Sequence, residues 1–187
     1  RRLGDRVAFA ILDVFDHVPV TVEVVRLLIE RVVDRVFARE CGQSLEATVD
    51  PSSYRAALSG AARFAQLAPD LRQLLLGLRE LELTGPALGA LLQVPERLAQ
   101  SLGLSIVVAI DEFQELADLR VGRPARSVLP MLRSAWQKHR HVAYVVSGSA
   151  RHLMTNLVAS DRSPFFGHFT LLEIDAFDQE DAIGLLV

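Results

Sequence analysis

Lysine is almost missing from this chain: among 187 residues only Lys138 is a lysine, and arginine supplies the remaining fixed positive charge. A phosphate-binding loop of the form G-x-x-x-x-G-K-[ST] requires a lysine directly after its second glycine. Lys138 follows Gln137, so no such loop exists within these residues. Cysteine is equally scarce. Cys41 stands alone, which excludes an intrachain disulfide and a cysteine-based metal cluster. It implies a reducing, cytoplasmic setting in which Cys41 is a small buried hydrophobe. Long apolar runs are also lacking. The leucine-rich stretch from Leu71 to Leu92 is interrupted by Arg72, Arg79, Glu80, Glu82 and Gly85-Pro86, so it is no membrane span. The opening Arg1-Arg2-Leu3-Gly4-Asp5-Arg6 is polar and short, unlike a secretory signal. A formal net charge of −3 offers no global footprint for nucleic acid. Internal repeats and low-complexity tracts are absent.

What is present is apolar. Half of the residues are hydrophobic (50%) and the mean hydropathy is +0.26, enough for one well-buried domain or most of one. Val7 to Val14 reads as a buried strand. After Pro19, the segment from Val20 to Glu40 is rich in valine, yet its period is helical: Val22, Val25, Ile29, Val32, Val33 and Val36 share one face. Glu23, Arg26, Glu30, Asp34 and Arg35 share the other. From Asp50 to Ser101 the pattern is helical throughout. Asp50-Pro51, Ala68-Pro69-Asp70 and Val94-Pro95-Glu96 act as start signals, and Gly85-Pro86 as a break. Leu74, Leu75, Leu78 and Leu81 are core candidates.

Leu104 to Ile110 is a run of mostly β-branched residues, the signature of a strand buried on both faces of a parallel sheet. Gln114 to Leu119 then reads as a short helical turn, Val121-Gly122-Arg123-Pro124 as a loop, and Ala125 to His139 as a helix burying Val128, Leu129, Leu132 and Trp136. Val142 to Val146 is a further strand, Arg151 to Val158 a helix, Phe169 to Ile174 a fourth strand and Asp178 to Val187 the start of a helix. Strands separated by helices imply a parallel α/β sheet.

Asp111 and Glu112 follow the Leu104–Ile110 run directly, where a parallel strand delivers residues to ligands. An aspartate there suits Mg²⁺ held largely through water, and the adjoining glutamate suits orienting or deprotonating a water that attacks a phosphate. This is the form of a Walker B segment. Ser147-Gly148-Ser149 ends the next strand. Its hydroxyls suit phosphate or attacking water, its glycine permits close backbone approach, and a serine N-cap is the plainer alternative. Asp13 ends the first strand in the same way. His139-Arg140-His141 lacks a third metal ligand and reads as solvated helix-end histidines. Arg133, Gln137 and Lys138 read as polar helix surface.

In these stretches the chain resembles the AAA-like P-loop ATPases of the archaeal-ATPase family, near the STAND group. The resemblance rests on Ser105-Ile-Val-Val-Ala-Ile-Asp-Glu-Phe-Gln-Glu-Leu116, Met131-Leu-Arg-Ser-Ala-Trp-Gln-Lys-His-Arg-His-Val-Ala-Tyr144, Val145-Val-Ser-Gly-Ser-Ala-Arg-His-Leu-Met154 and Ser163-Pro-Phe-Phe-Gly167, in the family's order. It implies an ATP-binding, ATP-hydrolysing domain with Mg²⁺. Asp111 would be the metal-associated aspartate, Glu112 the catalytic glutamate, and Ser147 or Ser149 the sensor residue. Where some relatives carry an arginine, this chain has His168. The implied fold is an α/β parallel-sheet P-loop NTPase core of the ASCE/AAA-like type, N-terminally incomplete. It divides into a strand–helix unit (residues 1–40), a helical insertion (41–103) and a part holding the Walker B, sensor and last core strands (104–187).

The family places its phosphate-binding loop upstream of Arg1, on a strand between the Val142–Val146 and Phe169–Ile174 strands. The expectation is therefore a piece of a longer ATPase, itself inactive, whose partners are ATP and either further copies or a regulatory protein, with neither nucleic acid nor membrane indicated. The competing expectations are a degenerate P-loop module that binds protein without catalysis, and a nucleic-acid-associated ATPase of an initiator or mobile-element system.

Overall fold

The computed structural model describes residues 6–17, 19–48 and 50–174. Among these residues five strands and seven α-helices follow in the order β1 (Val7–Asp13), α1 (Glu23–Cys41), α2 (Pro51–Gly60), α3 (Pro69–Leu76), α4 (Gly85–Leu92), α5 (Val94–Leu102), β2 (Ser105–Asp111), β3 (Arg120–Val121), β4 (Arg126–Ser127), α6 (Leu129–Trp136), β5 (Val142–Val146) and α7 (Arg151–Val158). The molecule is a mixed α/β structure built on a parallel three-stranded sheet of order β1-β2-β5. β2 is central. Its register sets Asp13 beside Asp111 and Ile110 beside Val146, so all three strands end at one edge of the sheet.

Side chains alternate across this sheet. Ala10 and Leu12 on β1 and Ile106, Val108 and Ile110 on β2 are buried. On β5, Tyr144 shares that covered face, stacking on Trp136 of α6 with ring centroids 4.1 Å apart. The valine-rich α1 packs on β1 and buries Val25, Ile29, Val32, Val33 and Val36, the face that the 3.6 period selects. Asp34 departs from that reading. It is buried, because the chain folds back over it so that Ser44 Oγ and the Leu45 amide donate to its Oδ1 at 3.0 and 2.6 Å. A carboxylate supplied with two donors is no longer a misfit in the core.

The helical region keeps its sequence-level punctuation. Asp50 caps α2 by accepting from the Ser53 amide at 2.8 Å, with Pro51 in the first turn. Gly85-Pro86 both ends the preceding run and opens α4, whose cap is Thr84. α5 closes at Gly103 in the left-handed conformation (φ 63°), which turns the chain into β2. Leu71, Leu75, Leu78, Leu88, Leu91 and Leu98 form the buried interior of this layer.

Three assignments are corrected. The stretch 120–127 is a short antiparallel ribbon, Arg120 opposite Ser127 and Val121 opposite Arg126, where the sequence suggested a loop and an early helix start. α6 consequently begins at Leu129. Phe169–Ile174 is not a strand: no described strand pairs with it, and Leu172 and Ile174 are 84% and 96% exposed. Extended apolar residues become a strand only when another edge satisfies their backbone. The expected helix from Asp178 lies outside the described residues. Cys41 is half-buried with its Sγ 3.4 Å from the Ala57 carbonyl, and burial pushes its thiol up, as befits a packing residue. No helix among the described residues is long and apolar enough to cross a membrane.

The opposite face of the sheet is bare among the described residues. Phe9, Ile11 and Val145 are 60%, 61% and 54% exposed, in register across Val107 and Ala109. The outer edge of β5 pairs with no described strand. Parallel sheets are ordinarily covered on both faces, and here the bare face adjoins the open edge along β5.

Candidate functional site

Asp111 is the last residue of β2, carried there by the apolar run before it. Its Oδ1 accepts from Ser147 Oγ at 2.7 Å and from the Glu112 amide at 3.0 Å. Among the described residues Oδ2 has no partner, so an exposed, hard oxygen faces outward from the strand end. Asp13 lies one strand over, its Oδ1 taken by the Phe15 amide at 2.9 Å.

Glu112 is the one described non-glycine residue with positive φ (φ 52°, ψ 43°). A left-handed backbone is uncommon for a side chain of this size and is held only where neighbours over-determine it. Here they do. The Phe113 amide donates to the Ser147 carbonyl at 2.9 Å, and the Phe113 ring is fully buried. It meets Phe165, Trp136 and Phe169 at centroid distances of 5.4, 6.0 and 6.4 Å. The Ser163–Gly167 stretch that stood out in the sequence therefore supplies an aromatic buttress behind Glu112.

The turn points the Glu112 side chain toward the end of β5. Its Oε2 accepts from the Ser149 amide at 3.1 Å, from Ser149 Oγ at 3.0 Å and from Gln114 Nε2 at 2.5 Å. Those bonds, first that of Gln114 and then that of Ser149, hold the carboxyl below its ordinary value. Oε1 is left without a partner among the described residues. The two carboxylates are thus arranged alike: one oxygen is pinned by the serine-bearing end of β5 and the other is presented to solvent.

The sequence-selected residues Asp111, Glu112, Ser147 and Ser149 come together at one sheet edge. Both serine hydroxyls are directed at the carboxylates, which makes them the residues that orient the acidic pair. Gly148 is closely surrounded within the chain. A Cβ there would lie 2.8 and 2.9 Å from Met154 Cγ and Sδ, and closer still to Gln114 Oε1. Gln114 itself was missed by sequence reasoning. Its signal was its place in the Asp111-Glu112-Phe113-Gln114 step that the resemblance rests on, which gave it no role of its own.

Other candidates lie apart from this edge. His139 and His141 are not simply solvated: His139 Nδ1 meets Tyr144 Oη and His141 Nδ1 meets Glu96 Oε1, both at 2.8 Å. Glu96 is buried and also accepts from the Arg140 and His141 amides at 3.0 and 2.9 Å and from Gln100 Nε2 at 2.8 Å. Burial alone would raise this carboxyl, but the donated bonds outweigh it and hold it at about 2. The Glu96 clamp ties α5 to the start of β5. Arg133 bonds the Pro164 carbonyl at 3.1 Å and Gln137 at 3.1 Å, a helix-surface role. His168 packs against Phe165 and Phe169.

Among the described residues no group of three or more His, Cys, Asp or Glu side chains could hold a metal. A fully protein-built cage is thus not formed by these residues. A single free carboxylate oxygen beside a hydroxyl does fit Mg²⁺, which takes one or two carboxylates and completes its shell with water and substrate phosphates.

No family model matches this chain, and no curated protein matches it. Among solved structures, a Walker-type ATPase of Pyrococcus abyssi aligns with 96% of this chain and 45% of its own length, at 17% identity and a TM-score of 0.46. The chain therefore spans less than half the length of that protein.

Proposed function

We propose that this chain is the magnesium- and water-handling part of an AAA-like P-loop ATPase, acting on the γ-phosphate of ATP in the full-length protein. One observation carries the reading. Asp111 and Glu112 leave the central parallel strand with one oxygen each tied to Ser147 or Ser149 and the other oxygen free. Residues at the carboxyl ends of parallel strands are where such folds meet their ligands.

Asp111 would hold Mg²⁺, which supplies charge neutralisation on the transferring phosphoryl group when bound. Ser147 keeps the Asp111 carboxylate turned outward. Glu112 Oε1 accepts a hydrogen bond from the attacking water and directs its lone pair. Because the bonds on Oε2 lower the basicity of Glu112, its role is to orient the water more than to remove its proton early; in phosphoryl transfer positioning is most of the catalysis. The phosphate grip that these residues lack would come from a further strand–loop–helix unit. Its strand would pair with the open edge of β5, and its helix would cover Phe9, Ile11 and Val145.

The experiment is Mg-dependent ATP hydrolysis by the full-length protein. Asp111→Ala is expected to lower turnover by about 100-fold or more, the scale of losing one preorganised electrostatic contact in a transition state. Turnover by Asp111→Ala equal to wild type would sink the reading.

A further inference from the structure

Gln114 is an odd core residue. It is 4% exposed, it carries a polar amide, and its Oε1 is buried with no hydrogen-bond partner among the described residues. The amide has only one sensible orientation. Its donor end must face Glu112 Oε2, since two acceptors would repel, and this leaves the carbonyl end against Gly148. An apolar side chain of equal length would fill the same space without burying an unpaired carbonyl. Packing alone therefore does not account for a glutamine here.

We propose that Gln114 is a positioning residue that fixes the Glu112 carboxylate for water orientation, and that Gly148 is the relief in the neighbouring strand end that lets the Gln114 amide reach it. The geometry is that of a tripod. Ser149 supplies two donors to Oε2 from the segment after β5, and Gln114 supplies the third from the turn after β2. Ser149 is exposed, so its bonds compete with water, whereas the Gln114 amide reaches Glu112 from the interior. With Oε2 held from both sides, the carboxylate plane is fixed and Oε1 has one direction to face. Gln114 does not touch substrate in this account; it acts through Glu112. The inference rests on the functional reading above.

The test compares wild type, Gln114→Met, Gly148→Ala and Glu112→Gln in the full-length protein, reading kcat, KM for ATP and thermal stability. Methionine keeps length and volume, removes the donor and removes the unpaired carbonyl. Gln114→Met is expected to lower kcat about 10- to 100-fold, the usual cost of losing a supporting hydrogen bond to a site group. KM should stay within about twofold and Tm should not fall. Gly148→Ala displaces the Gln114 amide from the other side and is expected to lower kcat similarly, which keeps the proposal testable if Gln114→Met folds poorly.

Gln114→Met or Gly148→Ala with wild-type kcat, alongside a Glu112→Gln protein without turnover, overturns this inference and leaves the parent reading standing. Wild type without Mg-ATP turnover, or Glu112→Gln with full turnover, overturns both.

Discussion

Glu112→Gln in the full-length protein is expected to bind Mg-ATP as wild type does and to hydrolyse it about 100- to 10,000-fold more slowly, the range lost with a positioned acid–base group. The direction follows from the hydrogen-bond pattern. Three donors converge on Oε2: the Ser149 amide, Ser149 Oγ and Gln114 Nε2. A glutamine in this place must turn its carbonyl toward them, because its NH₂ would oppose three N–H or O–H groups. Its NH₂ then occupies the place of Oε1 and offers donors where the water needs an acceptor. The substitution thus preserves the turn, the fold and the contacts to β5 while reversing the polarity of the one free atom. Steady-state hydrolysis beside calorimetric ATP binding checks it. Unchanged hydrolysis removes Glu112 from its role.

Phe113→Ala is expected to cost about 3–5 kcal/mol of stability in denaturant unfolding, the range for truncating a buried aromatic ring. Phe113 is fully buried and is the ring on which Trp136, Phe165 and Phe169 all converge. Those partners come from α6 and from the chain after α7, so the cavity would open between segments distant in sequence. A functional loss should accompany the structural one. Phe113 fixes the left-handed turn at Glu112 from the next position, through its ring and through its amide bond to the Ser147 carbonyl. Loss of the ring lets that turn relax and the Glu112 side chain drift. Phe113→Leu, which keeps much of the buried volume, should recover most of the stability. A Phe113→Ala protein with wild-type unfolding would refute the buttress.

The strands and the acidic pair were legible because both are local signals. The short, mostly β-branched run from Leu104 to Ile110 lacks a helical period and reads as a strand, and carboxylates directly after it fall at its end. Asp13 at the end of the first strand was legible in the same way, whereas its register beside Asp111 came only from the structure. Misreadings occurred where a partner distant in sequence decides the outcome. Asp34 looked like a surface residue of α1 until the Ser44–Leu45 turn folded over it. The His139–His141 stretch looked solvated because Glu96, more than forty residues earlier, gives no sign of reaching it. Phe169–Ile174 has strand composition, yet no described strand edge pairs with it. Gln114 was hidden differently: only side-chain geometry reveals that its amide fills the space a Cβ at Gly148 would occupy.

A nucleotide's phosphates and metal are expected to meet this protein at the carboxyl edge of the β1-β2-β5 sheet. Paramagnetic relaxation by Mn²⁺·ATP, recorded on backbone amides of the isotope-labelled full-length protein, measures that placement directly. Strong broadening is expected at Val14, Asp111, Glu112, Phe113, Ser147 and Ser149, and little at Val7, Ser105 and Val142, which begin the same strands at the far edge. Saturating Mn²⁺·ATP that leaves the first group sharp, or that broadens the far edge instead, would contradict it.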